Sequence, residues 1–426
     1  MIKILELSKL SEVDIFERTN LQTDVSETVS EIIGEVKTRG DKAVLGYTEK
    51  FDHVTLESML VTQAEIAEAV ADVEPEFIRI LERAAANIRS FHSRQVRNSF
   101  IINDEPGVVM GQKVIPMEKV GLYVPGGTAA YPSTVLMDSI PAKLAGVKQL
   151  IMVTPPNREG KIAPAILAAA KAAGVDRIYK VGGAQAIAAL AYGTETIPRV
   201  DKIVGPGNAF VAEAKKQVFG QVSIDMIAGP SEILIVSDEK TDARVLAADL
   251  LSQAEHDKLA SAALVTNSMA LAKAVQQEIE NQLPRLERCG IARASIDNNG
   301  KIIVTDNLDE AIEVSNRLAP EHLELCVDDP FSSLDKIKNA GSVFMGRNCP
   351  EALGDYMAGP NHTLPTGGTA RFSSPLSVDD FVKKTQFTYF TTEALGNLNR
   401  DVAYFARQEG LTAHANSALI RTEGLK

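Results

Sequence analysis

The sequence predicts an α/β protein: two incomplete Rossmann-like, doubly wound domains with helical N- and C-terminal extensions. Three observations lead there. Apolar runs of strand length alternate with Ala-rich amphipathic stretches from residue 119 to about 222. The alternation resumes after Glu232 and continues to about Gly346. A chain of 426 residues also exceeds the ~250–300 at which one hydrophobic core stops growing, so two or more domains are expected.

The N-terminal stretch MIKILELSKLSEVDIFERT carries acids inside its apolar run and has no small-residue cleavage pattern, so it reads as an extension rather than an export signal. Helix formers with 3.6-residue spacing fill residues 26 to 100, as in SETVSEIIGEVKTRG, which Gly40 closes. Then come VGLYVPGG, QLIMVTPP, RIYKVGG and KIVGPG as strands, each followed by a helical stretch. LAGVKQLIMV and AAGVDRIYKV resemble each other one βα unit apart, around Gly146 and Gly174. Such alternation requires parallel sheets, because each crossover helix returns the chain in the same direction and covers a sheet face. EILIVSD, AALVT, KIIVTDN, LELCV and GSVFMG give the second series of strands.

These patterns divide the chain into an extension over 1–20, a first α/β domain over 21–118 plus 232–372, a second over 119–231, and a helical tail over 373–426. The tail is too thin to own a core, so it is expected to pack on something else, such as a second subunit.

Composition narrows the function classes. The formal charge is -12 and no Lys/Arg block follows a phosphate backbone, so nucleic acid is not expected as a partner. Nowhere do ~18 apolar residues run consecutively, so no membrane partner is expected. Cys289, Cys326 and Cys349 are odd in number and lack CxxC spacing, which suits a reduced, cytoplasmic setting and no thiolate zinc site.

Chemistry-bearing residues gather at predicted element boundaries. In LAADLLSQAEHD, Leu246, Leu250 and Gln253 fall at i, i+4 and i+7, and His256 follows on nearly the same face. A buried amide left unpaired costs ~1–3 kcal/mol, so a partner is expected: an imidazole in the core or a shared metal. LAPEHLEL sets Glu321 beside His322 at a strand entrance, where a carboxylate and an imidazole can serve two proton transfers, or simply cap and solvate the turn. GDYMAGPNHTLPT is turn-rich and offers Asp355 and His362 on a loop. EGLTAHANS offers Glu409 and His414 on the tail. Gln253, His256, Asp355 and His414 together form a candidate N/O metal set without cysteine, which suits an open site that admits substrate. His53 and His92 lie outside these clusters and read as surface residues.

GLYVPGG, VGGAQAIAAL, KIVGPGNAFVAEAK, DMIAGPSEILI, LLSQAEHD, PEHLEL, GDYMAGPNHTLPT and LTAHANS occur in the order found in histidinol dehydrogenases, and the chain resembles that family over residues 20–420. The resemblance implies an NAD-dependent, zinc-assisted, two-step oxidation of L-histidinol through L-histidinaldehyde to L-histidine. It implies one zinc per subunit, held by Gln253, His256 and Asp355 with His414 reaching over from the partner in a homodimer. It further implies Glu321 and His322 as catalytic residues, and Ser231, Gln253, His256, His322, Asp355, His362, Glu409 and His414 around the substrate. Tyr123, Gln185 and Asn208 would line the NAD site on the 119–231 domain, although a G-x-G-x-x-G fingerprint is missing. Rival readings are a related dehydrogenase for another small polar alcohol, a metal-dependent hydrolase and a noncatalytic nucleotide-binding protein. Absence of HExxH and of a G-x-S-x-G elbow weighs against the hydrolase.

Overall fold

A computed structural model describes residues 1–9, 24–126 and 130–423. Residues 10–20 of the expected extension and Gly127 of the VPGG turn lie outside the described residues. In chain order the strands are β1 (Lys3–Glu6), β2 (Phe100–Ile102), β3 (Val108–Pro116), β4 (Lys119–Tyr123), β5 (Gln149–Thr154), β6 (Arg177–Lys180) and β7 (Lys202–Val204). They continue with β8 (Ser223–Ile224), β9 (Glu232–Ser237), β10 (Ser261–Thr266), β11 (Lys301–Val304), β12 (His322–Cys326), β13 (Ser342–Met345) and β14 (Val382–Phe390).

Both expected parallel sheets form. One has the order β6-β5-β4-β7-β8, so the chain builds outward from β4 and then returns to add β7 on its other side. The other has the order β1-β11-β10-β9-β12-β13, with the reversal between β9 and β12. Leu150, Ile151, Met152 and Val153 are all fully buried, as parallel strands covered by helices on both faces must be. Alanines supply the cover: Ala186, Ala188, Ala189 and Ala191 of helix Gly183–Tyr192 are buried, and their small side chains let the backbone approach the sheet closely. Both sheets belong to one compact unit, Met1–Gln95 with Glu118–Phe381.

The patterning groups residues 21–118 with 232–372, whereas the structure distributes them otherwise. Val29, Ile32, Ile33 and Val36, on one face of helix Ser26–Arg39, share a core with Tyr123, Ile151 and Ile203 of the 119–231 sheet. Each such side chain contributes roughly 1.5–3 kcal/mol by leaving water, and either sheet could offer that gain. Amphipathicity therefore fixes that the helix is covered, and only its packing against helices Gly183–Tyr192 and Ala209–Val218 fixes where. The chain's first residues are likewise not a free extension: β1 pairs with β11, and Ile2 is buried in the other sheet's core.

Val96–Met117 and Val382–Lys426 form a second unit. Here β14 pairs antiparallel with β3 along all nine residues of each, and β2 pairs with β3's other edge. The tail is thus not wholly helical: FVKKTQFTYF, expected as helix, contains the β-favouring residues Thr385, Phe387, Thr388 and Tyr389, and a distant partner strand decides the matter. Helices Thr392–Gln408 and Thr412–Leu419 follow and share a small buried cluster of Ala403, Ala406 and Ala415. Ile101, Tyr389, Tyr404 and Phe405 of this unit are exposed. Among the described residues no helix is long and apolar enough to cross a membrane.

Candidate active site

At the reversal between β9 and β12, two strand entrances lie side by side. His322 opens β12 opposite Ile233, so the backbone of Glu232 stands next to Glu321 and His322. The Glu232 N–H donates to Glu321 Oε2 at 2.8 Å, and the Glu232 carbonyl lies 2.9 Å from His322 Nδ1. A carbonyl can only accept, so Nδ1 carries the proton in the neutral ring and Nε2 presents a lone pair. That Nε2 is buried and has no hydrogen-bond partner. The two adjacent residues share surroundings because the strand has only begun: Glu321 Oε2 is 3.5 Å from His322 Nδ1. Burial holds the imidazole neutral, pulling it down to about 4, and burial with nearby acids keeps the Glu321 carboxyl well above the ordinary carboxylate range.

Helix Ala243–Ala254 starts on Asp242, whose side chain accepts from the Arg244 N–H, and buries Leu246, Leu250 and Gln253 in line. His256 follows past the helix end, exposed in the single chain, with its N–H on the Gln253 carbonyl at 3.2 Å. Asp355 is not on a loop, as its turn-rich surroundings suggest, but on the short helix Glu351–Tyr356. Pro350 starts that helix, and Glu351 and Asp355, four residues apart, share one face. Polar atoms of His256, Glu351 and Asp355 all lie within 4.8 Å of one another. Gln253 lies against Glu351: with its amide nitrogen toward that carboxylate it donates to both oxygens at 2.7 and 2.9 Å and accepts from the Glu232 N–H at 3.1 Å, and in the opposite orientation it turns its oxygen to the cluster, as a shared cation would require. Glu351 Oε1 is 3.9 Å from His322 Nε2, which joins this cluster to the imidazole.

The cluster is short of positive charge. The ion pairs of Glu321, Glu351 and Asp355 among the described residues are with imidazoles only. Burial raises Glu351 well above its ordinary value and Asp355 to about 6. Buried acids with no Lys or Arg beside an imidazole and an amide are a donor set that fits a divalent cation with N/O preference, zinc included.

His362 sits behind Asp355, Nδ1 to Oδ1 at 3.7 Å, with Nε2 3.4 Å from Thr134 Oγ1. Burial pulls it, too, down to about 4. Ser231 is half-buried at the entrance of β9, its carbonyl accepting from the Ser261 N–H. Glu409 and His414 belong to the other unit, both exposed, one ending helix Thr392–Gln408 and the other on helix Thr412–Leu419.

On the 119–231 sheet the reversal point between β4 and β7 gathers three further residues at strand carboxyl ends, where open α/β sheets bind ligands. Tyr123 ends β4, buried, its hydroxyl accepting from the Gly183 N–H at 3.2 Å. Gln185, in the first turn of helix Gly183–Tyr192, has a buried Oε1 without a partner. Asn208 is exposed and caps helix Ala209–Val218, its Oδ1 accepting from the Phe210 and Val211 N–H groups. Gly205 has φ +114°, and a Cβ there would meet the Tyr123 carbonyl oxygen at 2.1 Å, so only glycine lets the GPGN turn lie against β4. An orphaned amide oxygen beside a helix N-terminus and a glycine turn fits a dinucleotide in place of the missing fingerprint.

Besides Asp355, two residues depart from the sequence expectation. His92, expected at the surface, is fully buried with Nδ1 2.7 Å from Gln95 Oε1, because helix Pro75–His92 turns its last residue inward. Glu351 lies with His256 and Asp355 although nothing in its local pattern marks it; its i, i+4 spacing to Asp355 carries meaning only once the segment is known to be helix.

A buried imidazole with an adjacent carboxyl at the reversal of one parallel sheet, and a second parallel sheet beside it in the chain, make this a Rossmann-like α/β protein of the enzyme class. The family model for histidinol dehydrogenase matches residues 16–422. The chain is 58% identical over 398 residues to the histidinol dehydrogenase of Clostridium acetobutylicum, covering 93% of this chain and 92% of that one. It is 51% identical over 418 residues to that of Lactococcus lactis, covering 98% and 97%. The crystal structure of histidinol dehydrogenase from Elizabethkingia anophelis superimposes with a TM-score of 0.95 at 40% identity, over 100% of this chain and 98% of that one. The chain belongs to the histidinol dehydrogenase family, and so to the oxidoreductases of histidine biosynthesis.

Proposed function

We propose that this protein oxidises L-histidinol to L-histidine in two steps through L-histidinaldehyde, using two NAD and one zinc per subunit, as a cytoplasmic homodimer. The observation that carries the reading is the unpartnered Nε2 of His322, buried and 3.9 Å from Glu351, at the edge of the His256–Glu351–Asp355 cluster.

Gln253, His256 and Asp355 are the residues of this chain that would hold the zinc, with His414 of the partner subunit completing the set. When bound, zinc supplies a Lewis-acid anchor for the substrate's amine and imidazole nitrogens. Tyr123, Gln185 and Asn208 are the residues that would hold NAD, which would supply the hydride acceptor for each oxidation.

His322 Nε2 takes the proton of the carbinol hydroxyl as the C–H bond gives up its hydride. Its Nδ1–H stays on the Glu232 carbonyl, so the ring keeps its orientation while its other nitrogen changes protonation. Glu321 then takes a proton from water as the oxygen adds to the aldehyde carbon, and His322 Nε2 returns its proton to the former carbonyl oxygen, giving a gem-diol and a neutral imidazole. Burial raises the Glu321 carboxyl, so its carboxylate is a stronger base than that of an exposed acid. The second hydride leaves the gem-diol carbon and His322 receives the accompanying hydroxyl proton, which yields the carboxylic acid. His362, Ser231 and the partner subunit's Glu409 would contact the substrate's polar ends and exclude water from the aldehyde.

Dimerisation gives the exposed apolar residues of the smaller unit a surface to cover and brings the tail's histidine to a site. The test counts NADH formed per L-histidinol consumed, with and without a chelator. Two NADH, lost on metal removal, are expected; one NADH, or indifference to the chelator, would contradict the mechanism.

A further inference from the structure

His322, Gln253 and Asp355 come from three separate segments, and one buried side chain touches or belongs to all three. Glu324 stands two residues beyond His322 on β12 and so points to the same side of the strand. It is 1% exposed. Its Oε1 accepts the backbone N–H of Glu351 at 2.8 Å, at the start of the helix whose next turn carries Asp355. Its carboxyl also hydrogen-bonds that of Asp249, which lies one turn before Gln253 on helix Ala243–Ala254.

An acid at this position is costly. Burial and the neighbouring Asp249 push the Glu324 carboxyl well up, and burial raises Asp249 too, which favours a proton shared between the two carboxyls. Leu323 and Leu325, on the opposite side of the same strand, show that apolar packing is the ordinary solution in this sheet. An apolar side chain of similar volume would avoid the desolvation cost but would not fix distances, whereas hydrogen bonds to two helices do.

We propose that Glu324 is a positioning residue: it ties the helix bearing Gln253 and the helix bearing Asp355 to the strand bearing His322, and thereby sets the spacing of the cation site. The inference rests on the metal reading of that site.

The test compares the full-length parent, E324Q and E324M. Zinc affinity is read by chelator competition, thermal midpoint by calorimetry, and backbone exchange of helix Glu351–Tyr356 by hydrogen–deuterium exchange in metal-free protein. Glutamine can still accept from the Glu351 N–H and donate to Asp249, so E324Q is expected to stay within about threefold of the parent in zinc affinity. E324M is expected to bind zinc about 10–100-fold more weakly, the usual loss for an outer partner of a metal ligand, and to exchange faster in that helix. A folded E324M with parental affinity and parental exchange overturns the proposal, as does E324Q failing as badly as E324M. If E324M does not fold, D249A removes one of the two links from a half-buried position, and its retaining both parental values overturns the proposal equally. A parent that takes up no zinc sinks the metal reading instead, and the exchange data in metal-free protein then decide Glu324's role by themselves.

Discussion

The backbone carbonyl of Glu232 lies 2.9 Å from Nδ1 of His322, which fixes which imidazole nitrogen is protonated and aims the other, unpartnered, into the site. The expected consequence is that His322→Asn lowers turnover by about 10²–10⁴-fold, the usual worth of a positioned acid–base group, while zinc content stays parental. Steady-state rates alongside metal analysis check this; a variant with parental turnover removes His322 from the chemistry.

Glu321 shares the same backbone hook through its Oε2, yet is assigned the later step. Glu321→Gln keeps an acceptor for the Glu232 N–H and loses the base. Oxidation of added L-histidinaldehyde is expected to slow more than the first hydride transfer from L-histidinol. Single-turnover traces of NADH separate the two; equal slowing of both would argue that Glu321 merely orients the ring.

Polar atoms of His256, Asp355 and Glu351 lie within 4.8 Å of one another, and loss of His256 removes the only imidazole of that trio. His256→Asn is expected to weaken zinc binding by at least the roughly 10–100-fold that follows from losing an outer partner alone. Dialysis against graded chelator, followed by metal analysis, gives the comparison. Unchanged retention would place the cation elsewhere.

His414 belongs to a different unit of the chain from His256, and the proposal has it serve the partner subunit's site. Mixing His256→Asn and His414→Asn subunits by co-unfolding and refolding is therefore expected to restore activity that neither variant shows alone, because a mixed dimer holds one site free of both changes. If the mixture stays as inactive as its parts, the shared-site reading fails.

Asp138 tests the electrostatics away from the cation set. It is fully buried, accepts from Thr363 Oγ1 at 2.8 Å through Oδ1, has an unpartnered Oδ2, and burial pushes it up to about 7. The folded protein thus keeps a proton that the unfolded chain releases from about pH 4 upward. Its contribution to stability is complete below that value and is lost as pH rises through about 7. Asp138→Asn cannot ionise, so its thermal midpoint is expected to fall less than the parent's between about pH 4 and 7. Parallel midpoint curves would show that the carboxyl is ionised throughout.

Much of this was legible without coordinates, for local reasons. Alternating strand and helix patterns needed only hydrophobic period, so both parallel sheets and the succession of their elements were readable from residues 119–346. The pairing of Glu321 with His322 at a strand entrance, and the inward Gln253, followed from spacing along one element. Helix Cys289–Asn299 and strand β8 carry too little periodic signal to stand out in the sequence. β14 departs from the helical expectation because a partner more than 250 residues away completes it as a strand.

What the sequence determined by itself, then, is which residues form most of the helices and strands and which carry chemistry, since propensity, period and side-chain type act within a few residues. Tertiary structure alone decided which sheet the N-terminal helices cover, that Glu351 joins His256 and Asp355, that Glu324 braces three segments, and that His92 is buried. Those are matters of long-range packing: burial rewards any apolar partner nearly alike, and only the closed fold selects one.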